Sequence, residues 1–414
     1  MRQADATTSS TPPVGSRRAL GFIFAVVFLD LLGTGVLLPI IPYLVRQFTP
    51  SGLAVGLLAV AFSAAQFLAA PFLGALSDRV GRRPVLVLSV LGSGAAYFLF
   101  GLATSLWVLF AARIIDGLTG GNITAAQAYI ADVSRPEDRA KNFGLLGAAF
   151  GLGFIFGPAA GGALSHISLQ VPAYAAGALS VLTAAFGFFA LPESLPRERR
   201  RGGSIAAHEF DPLRALAAGF RRPELRTLLG AVFFLGFAMA GLRSNFAVYT
   251  LTRFHLGPKE NAALFTFLGV VAAVMQGVVI RRLSGKVSER RLAVGGLALM
   301  TVGYMLIAYA PAVWVLYLAV ACNAVGGGLA GPTLTGMISQ SAPPAEQGAV
   351  LGASQSVQSL TQIVGPGYAG AVFDHVHYEA PYWSAAVCGL AAVALVELAT
   401  RVSSPAGASS SARG

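Results

Sequence analysis

"LSDRVGRR", residues 76–83, returns in worn form as "LSGKVSER", residues 283–290, at an offset of 207 in a chain of 414 residues. That offset is half the chain. Other landmarks repeat in the same or the next register: "SLWVLF" from 105 falls on "AVWVLY" from 312, Pro136 on Pro344, and Gly157-Pro158 on Gly365-Pro366. The sequence therefore reads as two copies of one unit, and whatever fold it adopts has two equivalent halves meeting along a seam.

Each half is built of oil. Hydrophobic residues make up 55% of the chain and charged ones 11%, against about 25% charged in soluble domains. Twelve apolar stretches lie near 20–45, 53–76, 84–103, 106–132, 141–165, 172–191, 226–252, 261–282, 292–310, 312–339, 347–373 and 380–400. At about 1.5 Å of helical rise per residue each is long enough to cross a hydrocarbon layer about 30 Å thick. The expected fold class is an all-α membrane protein, with twelve transmembrane helices in two pseudo-symmetric six-helix bundles. The bundles occupy residues 19–191 and 226–401, a cytoplasmic linker 192–225 joins them, and the tails 1–18 and 402–414 have the composition of disordered segments.

The net charge of +11 does not point to nucleic acid, because the basic residues are sorted by loop. Twenty-four lie in the termini and on one side of the spans, and three (Arg46, Arg253, Lys259) on the other. By the positive-inside rule both termini are expected in the cytoplasm. Eight arginines crowd the linker region 192–226, whose "PRERRR" serves as a topology determinant and has the composition to attract anionic headgroups. The N-terminal tail has no apolar region or cleavage site of a signal peptide, so the first span is expected to be retained. Cys322 and Cys388 fall within spans and suggest no disulfide framework. The "DHVHYE" of 374–379 has metal-like residue types but reads as a solvated turn, so no metal site is expected. No Gly-rich loop ending in Gly-Lys-Ser/Thr is present, so ATP is not the expected energy source.

Three stretches carry stricter patterns. "GALSDRVGRRP", residues 74–84, combines Gly74 for close helix approach, Gly81 for a tight turn, and the charges Asp78, Arg79, Arg82 and Arg83. Asp78 is placed to pair with arginines or with a helix N-terminus, forming a latch between the halves at the cytoplasmic end. "GLLGAAFGLGFIFGPAAGG", residues 144–162, sets Gly144, Gly153, Gly157, Pro158, Gly161 and Gly162 along span 5. Such a face lets span 5 approach its neighbour in the other half, and Pro158 favours a kink. "RIIDGLTGGNITAAQAYIADV", residues 113–133, puts Arg113 and Asp116 inside span 4.

The first of these resembles the signature between helices 2 and 3 of the major facilitator superfamily, and the second the helix 5 signature of its proton-driven antiporters. Together with "VFLDLLGTGVLLPIIPYL" (27–44) and "VGPGYAGAVFDH" (364–375), they make the chain similar to the tetracycline/proton antiporter family and its drug-exporting relatives. The span 4 pattern is also similar to the exporters', although Asp116 stands where a small or amide residue is usual. The resemblance implies a major facilitator fold and proton-driven export of small lipophilic or amphiphilic compounds, with a proton gradient and no cofactor. It implies no catalytic residue, a monomer in the lipid bilayer of a bacterial cytoplasmic membrane, and no nucleic-acid partner. Tetracycline exporters of this group carry further acids in helices 3 and 9, where this chain has Ala96 and Met300, which argues against tetracycline itself.

Asp30 is the anomaly in span 1. An acid at a bilayer centre costs about 2.5–3.5 kcal/mol on insertion scales and marks function by default. It lies about 15 Å into its span, and Arg113 and Asp116 reach similar depth from the other side, so the three are expected to meet in the central cavity. Burial disfavours a carboxylate's charge and a guanidinium favours it, which makes Asp30 the expected proton carrier with Arg113 setting its affinity. Asp116, one turn from Arg113, is the competitor. Duplicated transporters bind substrate near the midplane of the seam. The candidate cavity contacts are Gln66, Gln127, Arg243, Asn245 and Asn323 (the repeat mate of Asp116), with Phe233, Phe237 and Phe246 as an aromatic face. A proton symporter or facilitator importing a metabolite, and a non-transporting membrane sensor or assembly protein, are the alternatives that the sequence leaves open.

Overall fold

The computed structural model describes residues 16–135, 138–200, 223–283, 285–343 and 346–402. The expected disorder of both tails, and most of the linker, lie outside these residues. Twelve helical spans appear among them, in the expected order. Span 1 runs Ser16–Leu37, turns at Pro39, which has no amide hydrogen to donate, and resumes over Ile41–Arg46. Spans 2 and 3 are Gly52–Val80 and Arg82–Gly101. Gly81 between them has φ +112°, a conformation that L side chains rarely adopt. Span 4 is broken into Leu106–Thr119 and Asn122–Val133. Spans 5 and 6 are Arg139–Leu164 and Val171–Ala190. In the second half, span 7 is Pro223–Phe254, and span 8 is Pro258–Val274, extended through a π-helical turn at Met275–Val279 to Leu283. Spans 9 to 12 are Glu289–Ala308, Val313–Gln340, Gln347–His375 and Ala380–Val402.

Ten of the twelve are long and apolar enough to cross a membrane on length and composition alone. Spans 4 and 11 fall short for different reasons. Gly120 and Gly121 interrupt span 4, which also carries Arg113, Asp116 and Asp132. Span 11 is long, but its first half is polar, with Ser354, Gln355, Gln358, Thr361 and Gln362.

The two halves have different interiors. In the second half one continuous apolar core joins spans 7 to 12. The first half has two main cores, one around Val36, Leu37 and Leu109 and another around Ile23, Leu86 and Ile130. Between these layers lies a polar stratum, and that is where the buried charges sit.

Contacts across the seam are concentrated at the end away from the termini. Tyr43 donates a hydrogen bond of 2.7 Å to the Leu256 carbonyl and accepts one from the Asn261 amide, whose Oδ1 is bonded in turn by Thr250. Asp374, at the end of span 11, accepts from Ser51 Oγ (2.5 Å), Gly52 N (2.8 Å) and Leu53 N (3.0 Å) at the start of span 2. The carboxylate thus meets free amides at a helix N-terminus, where negative charge is favoured. Gly56 and Gly370 let the backbones of spans 2 and 11 touch below this clasp, since a Cβ at either would collide with main-chain atoms of the other span. At the terminus end, added Cβ atoms at Gly144, Gly277, Gly331 and Gly352 would meet nothing within 4 Å. Among the described residues, then, the seam is clasped at one end of the bundle, and these four glycines face open space towards the other.

Candidate functional site

The polar stratum of the first half gathers Asp30 from span 1, Ser93 and Tyr97 from span 3, and Arg113, Asp116 and Asn122 from span 4. Asp30, Arg113 and Asp116 are 6%, 8% and 4% exposed. Sequence reasoning brings these three together correctly but pairs them wrongly. Arg113 Nη1 bonds Asp116 Oδ2 at 3.2 Å, one turn along the same helix. Asp30 instead accepts from the Asn122 amide at 2.5 Å. Among the described residues no basic side chain lies within ion-pair distance of Asp30. The expected Asp30–Arg113 pairing fails because Asp116 sits within a turn of Arg113 on a rigid helix, whereas Asp30 would have to reach across from span 1. Arg113 is further boxed in by the rings of Phe100 (5.1 Å) and Phe62 (5.6 Å). Ser93 faces the Asp116 carboxyl, and Tyr97 shares a 3.0 Å hydrogen bond with Thr34 one turn above Asp30. The group is buried within the first half, whereas the expected meeting place is the central cavity.

Asn122 is the residue that sequence reasoning missed. The Gly120–Gly121 break places it at the first position of the second piece of span 4, where its Oδ1 accepts from the Ile123 amide at 2.7 Å and its Nδ2 is left to meet Asp30. The same break frees the Gly120 carbonyl, which accepts from Gln66 Nε2 at 2.9 Å. Gln66 therefore satisfies an interrupted backbone, as buried polar main chain requires. The signal was available as "GGN", two glycines followed by a residue able to bond its own backbone.

Other expected cavity residues divide. Gln127 and Arg243 are exposed. The Arg243 guanidinium lies 5.9 Å from the ring centroid of Phe154 in span 5, across the seam. Asn245 and Asn323, 0% and 2% exposed, are inside the second half and do not line an opening. Asn323 packs against Gly303, whose missing side chain makes room for it. Phe246 is likewise core, edge-on to Phe265. Phe233 and Phe237 do stack, but Phe237 and Tyr368 line a small crevice with Pro381 and Ser384 of span 12. A continuous aromatic face is ruled out because positions 233, 237 and 246 do not share one side of a helix. Sequence reasoning also missed Gln355 and Gln362 of span 11, seven residues apart and both exposed. Glutamines on one face of a membrane span face water or protein, not lipid.

The glycine face of span 5 turns mainly inward. Cβ atoms at Gly153, Gly157 and Gly161 would strike the backbone of span 1 at Leu31, Gly35 and Val36, in the same half. Pro158 Cδ packs there as well, and span 5 runs through it without interruption. Gly162 faces the other half, against Ala262, and Gly144 meets nothing. The expectation of an inter-half face holds at Gly162; elsewhere the pattern serves the tight crossing of spans 1 and 5.

The "GALSDRVGRRP" charges form a hub within the first half. Arg82 pairs with Asp78, bonds Asp132 (3.1 Å) and Ser77 (2.7 Å), and its amide bonds Glu193 at 2.9 Å. Glu193 also approaches Arg200 at 3.8 Å, which ties the start of the linker to the loop. A Cβ on Gly81 would collide with the Glu193 carboxylate. Arg83 bonds the Phe188 carbonyl and lies over its ring. Arg79 is partly exposed and Gly74 faces only Thr124. Among the described residues the contacts of this hub lie within the first half and the start of the linker, not between the halves as expected.

Two bundles, a seam closed at one end and a broken helix beside buried acids coincide with a match to the model of the Major Facilitator Superfamily over residues 23–360 and 265–414. The chain belongs to the Major Facilitator Superfamily. It is 34% identical to the class C tetracycline resistance protein of Escherichia coli, over 85% of this chain and 88% of that one. It is 30% identical to multidrug resistance protein 2 of Bacillus subtilis (strain 168), with 85% and 88% covered. The crystal structure of the human organic anion transporter MFSD10 superposes with a TM-score of 0.70 at 28% identity, covering 93% of this chain and all of that one. As a member of the superfamily, this chain is an integral multi-pass membrane transporter of small molecules, not an enzyme, and it resembles the group's drug/proton antiporters.

Proposed function

We propose that the protein is a proton-driven antiporter that exports small lipophilic or amphiphilic compounds from the cytoplasm, working as a monomer in a bacterial cytoplasmic membrane. The observation that carries this reading is the pair of buried carboxylates with unequal partners: among the described residues Asp116 has the arginine, and Asp30 has a neutral amide. An intramembrane acid without a counter-ion belongs to proton relays. Asp30 takes the proton, and Asn122, mounted on the broken part of span 4, reports its state. Protonation removes the negative charge that the amide donates to, which frees the second piece of span 4 to move against the seam. The sorting of basic residues by loop supports a cytoplasmic terminus end. The open end of the seam then faces the cytoplasm, the state in which an exporter loads. Ala96 and Met300, both buried and apolar, supply no carboxylate for a metal-chelated drug, which argues against tetracycline as the substrate.

Everted vesicles with an imposed proton gradient test this. Addition of a substrate evokes proton release, and Asp30→Asn abolishes the release while the protein remains folded. Release that persists in Asp30→Asn but is lost in an Asp116→Asn protein that still elutes as a folded monomer moves the proton site to span 4.

A further inference from the structure

We propose that the open seam takes substrates bearing an anionic group, a carboxylate or sulfonate on an aromatic body, held by Arg243 of span 7. This names the substrate class of the exporter proposed above, and it rests on that reading for the direction of transport only. Two arginines lie inside the spans, and their settings are opposite. Arg113 is buried and paired with Asp116. Arg243 is exposed, yet lies well inside span 7 against Phe154 of the other half, and among the described residues no carboxylate is within ion-pair distance of it. The acids of the second half sit near span ends, from Glu260 at the start of span 8 to Glu397 in the last turns of span 12. An exposed guanidinium at this depth faces the open seam, since lipid would not solvate it.

Arginine keeps its charge, and its planar fork matches a carboxylate or sulfonate with two parallel hydrogen bonds. A second donor lies in electrostatic range of it: Tyr304 of span 9 is 1% exposed, and its hydroxyl has no hydrogen-bond partner among the described residues. A buried hydroxyl without a partner is rare and costly, and it is satisfied if a ligand oxygen arrives. Phe154, already under the guanidinium, supplies an aromatic wall for the body of the ligand. The result is a cation and a ring that meet across the seam from spans 7 and 5, with the unpartnered hydroxyl of span 9 in electrostatic range of the cation.

The test uses dansylglycine, a fluorescent aromatic carboxylate, and its uncharged methyl ester. Binding of each to the purified full chain is followed by fluorescence, and transport is followed in everted vesicles. Arg243→Gln is expected to weaken dansylglycine binding about tenfold, about 1.4 kcal/mol, and to leave ester binding within about twofold. Arg243→Lys, which keeps the charge, is expected to restore part of the carboxylate's affinity. Absence of saturable dansylglycine binding by the wild type overturns the proposal, as does an equal loss for acid and ester in Arg243→Gln. Selective binding of the acid without any coupled proton movement sinks the proton-driven export reading and leaves the anion site standing.

Discussion

Removing the Asp374 carboxylate should open the closed end of the seam. Asp374 accepts three hydrogen bonds at the start of span 2, from Ser51 Oγ, Gly52 N and Leu53 N. In general a hydrogen bond to a charged group contributes about 1.5–3 kcal/mol and a helix cap about 1 kcal/mol. Asp374 is exposed, so water takes over part of each bond when the side chain is lost. A net loss of about 1–2 kcal/mol follows for Asp374→Ala, which changes a two-state ratio by about 5–30-fold. The clasp exists only when the far end is closed, so the whole loss falls on that state. The assay is a spin–spin distance measurement with labels at Ile167 and Val376, exposed residues beyond spans 5 and 11 in opposite halves. The free cysteines Cys322 and Cys388 are replaced first. The wild type should give a dominant short distance, Asp374→Ala a long-distance population larger by the stated factor, and Asp374→Asn an intermediate result because an amide oxygen still accepts. An Asp374→Ala distribution identical to that of the wild type would refute the idea that this cap holds the far end shut.

Asp116→Asn strands a buried guanidinium, and breaking a buried pair costs about 3–5 kcal/mol; thermal unfolding in detergent should fall clearly, and the double change Arg113→Leu with Asp116→Leu should regain most of the loss. Gly157→Val drives side-chain atoms into the Gly35 backbone of span 1, at a typical overpacking cost of about 1–3 kcal/mol, whereas Gly144→Ala, with nothing within 4 Å of the added Cβ, should not lower the melting temperature, because alanine is the better helix former. Tyr43→Phe deprives the Leu256 carbonyl and Asn261 of their partner across the seam; a loss of about 1–3 kcal/mol is expected, read as lower stability and a larger open population in the same distance measurement.

Much of the architecture is written in local pattern. Twelve apolar runs, the 207-residue repeat and the sorting of arginines by loop fix the number of spans and the two halves, because helix length against bilayer thickness is a property of the chain alone. The buried stratum is legible to the same extent: Asp30, Arg113 and Asp116 stand out as charges in oil, and depth counting puts them at one level. Partner choice is not legible. Asp116 takes Arg113 because a helix turn holds them together, and Asp30 turns to Asn122 because a two-glycine break presents that amide. Facing is equally hidden. The span 5 glycines serve span 1, Asn245, Asn323 and Phe246 turn into the second half's core, and Arg243 alone of the span 7 candidates is exposed beside the other half's Phe154. A helix's composition says that it will be buried in a bundle or in lipid; which side meets which neighbour depends on rotations and crossings set by all twelve helices at once, and so does the closed end of the seam, where Asp374 meets a helix start 321 to 323 residues away in the chain.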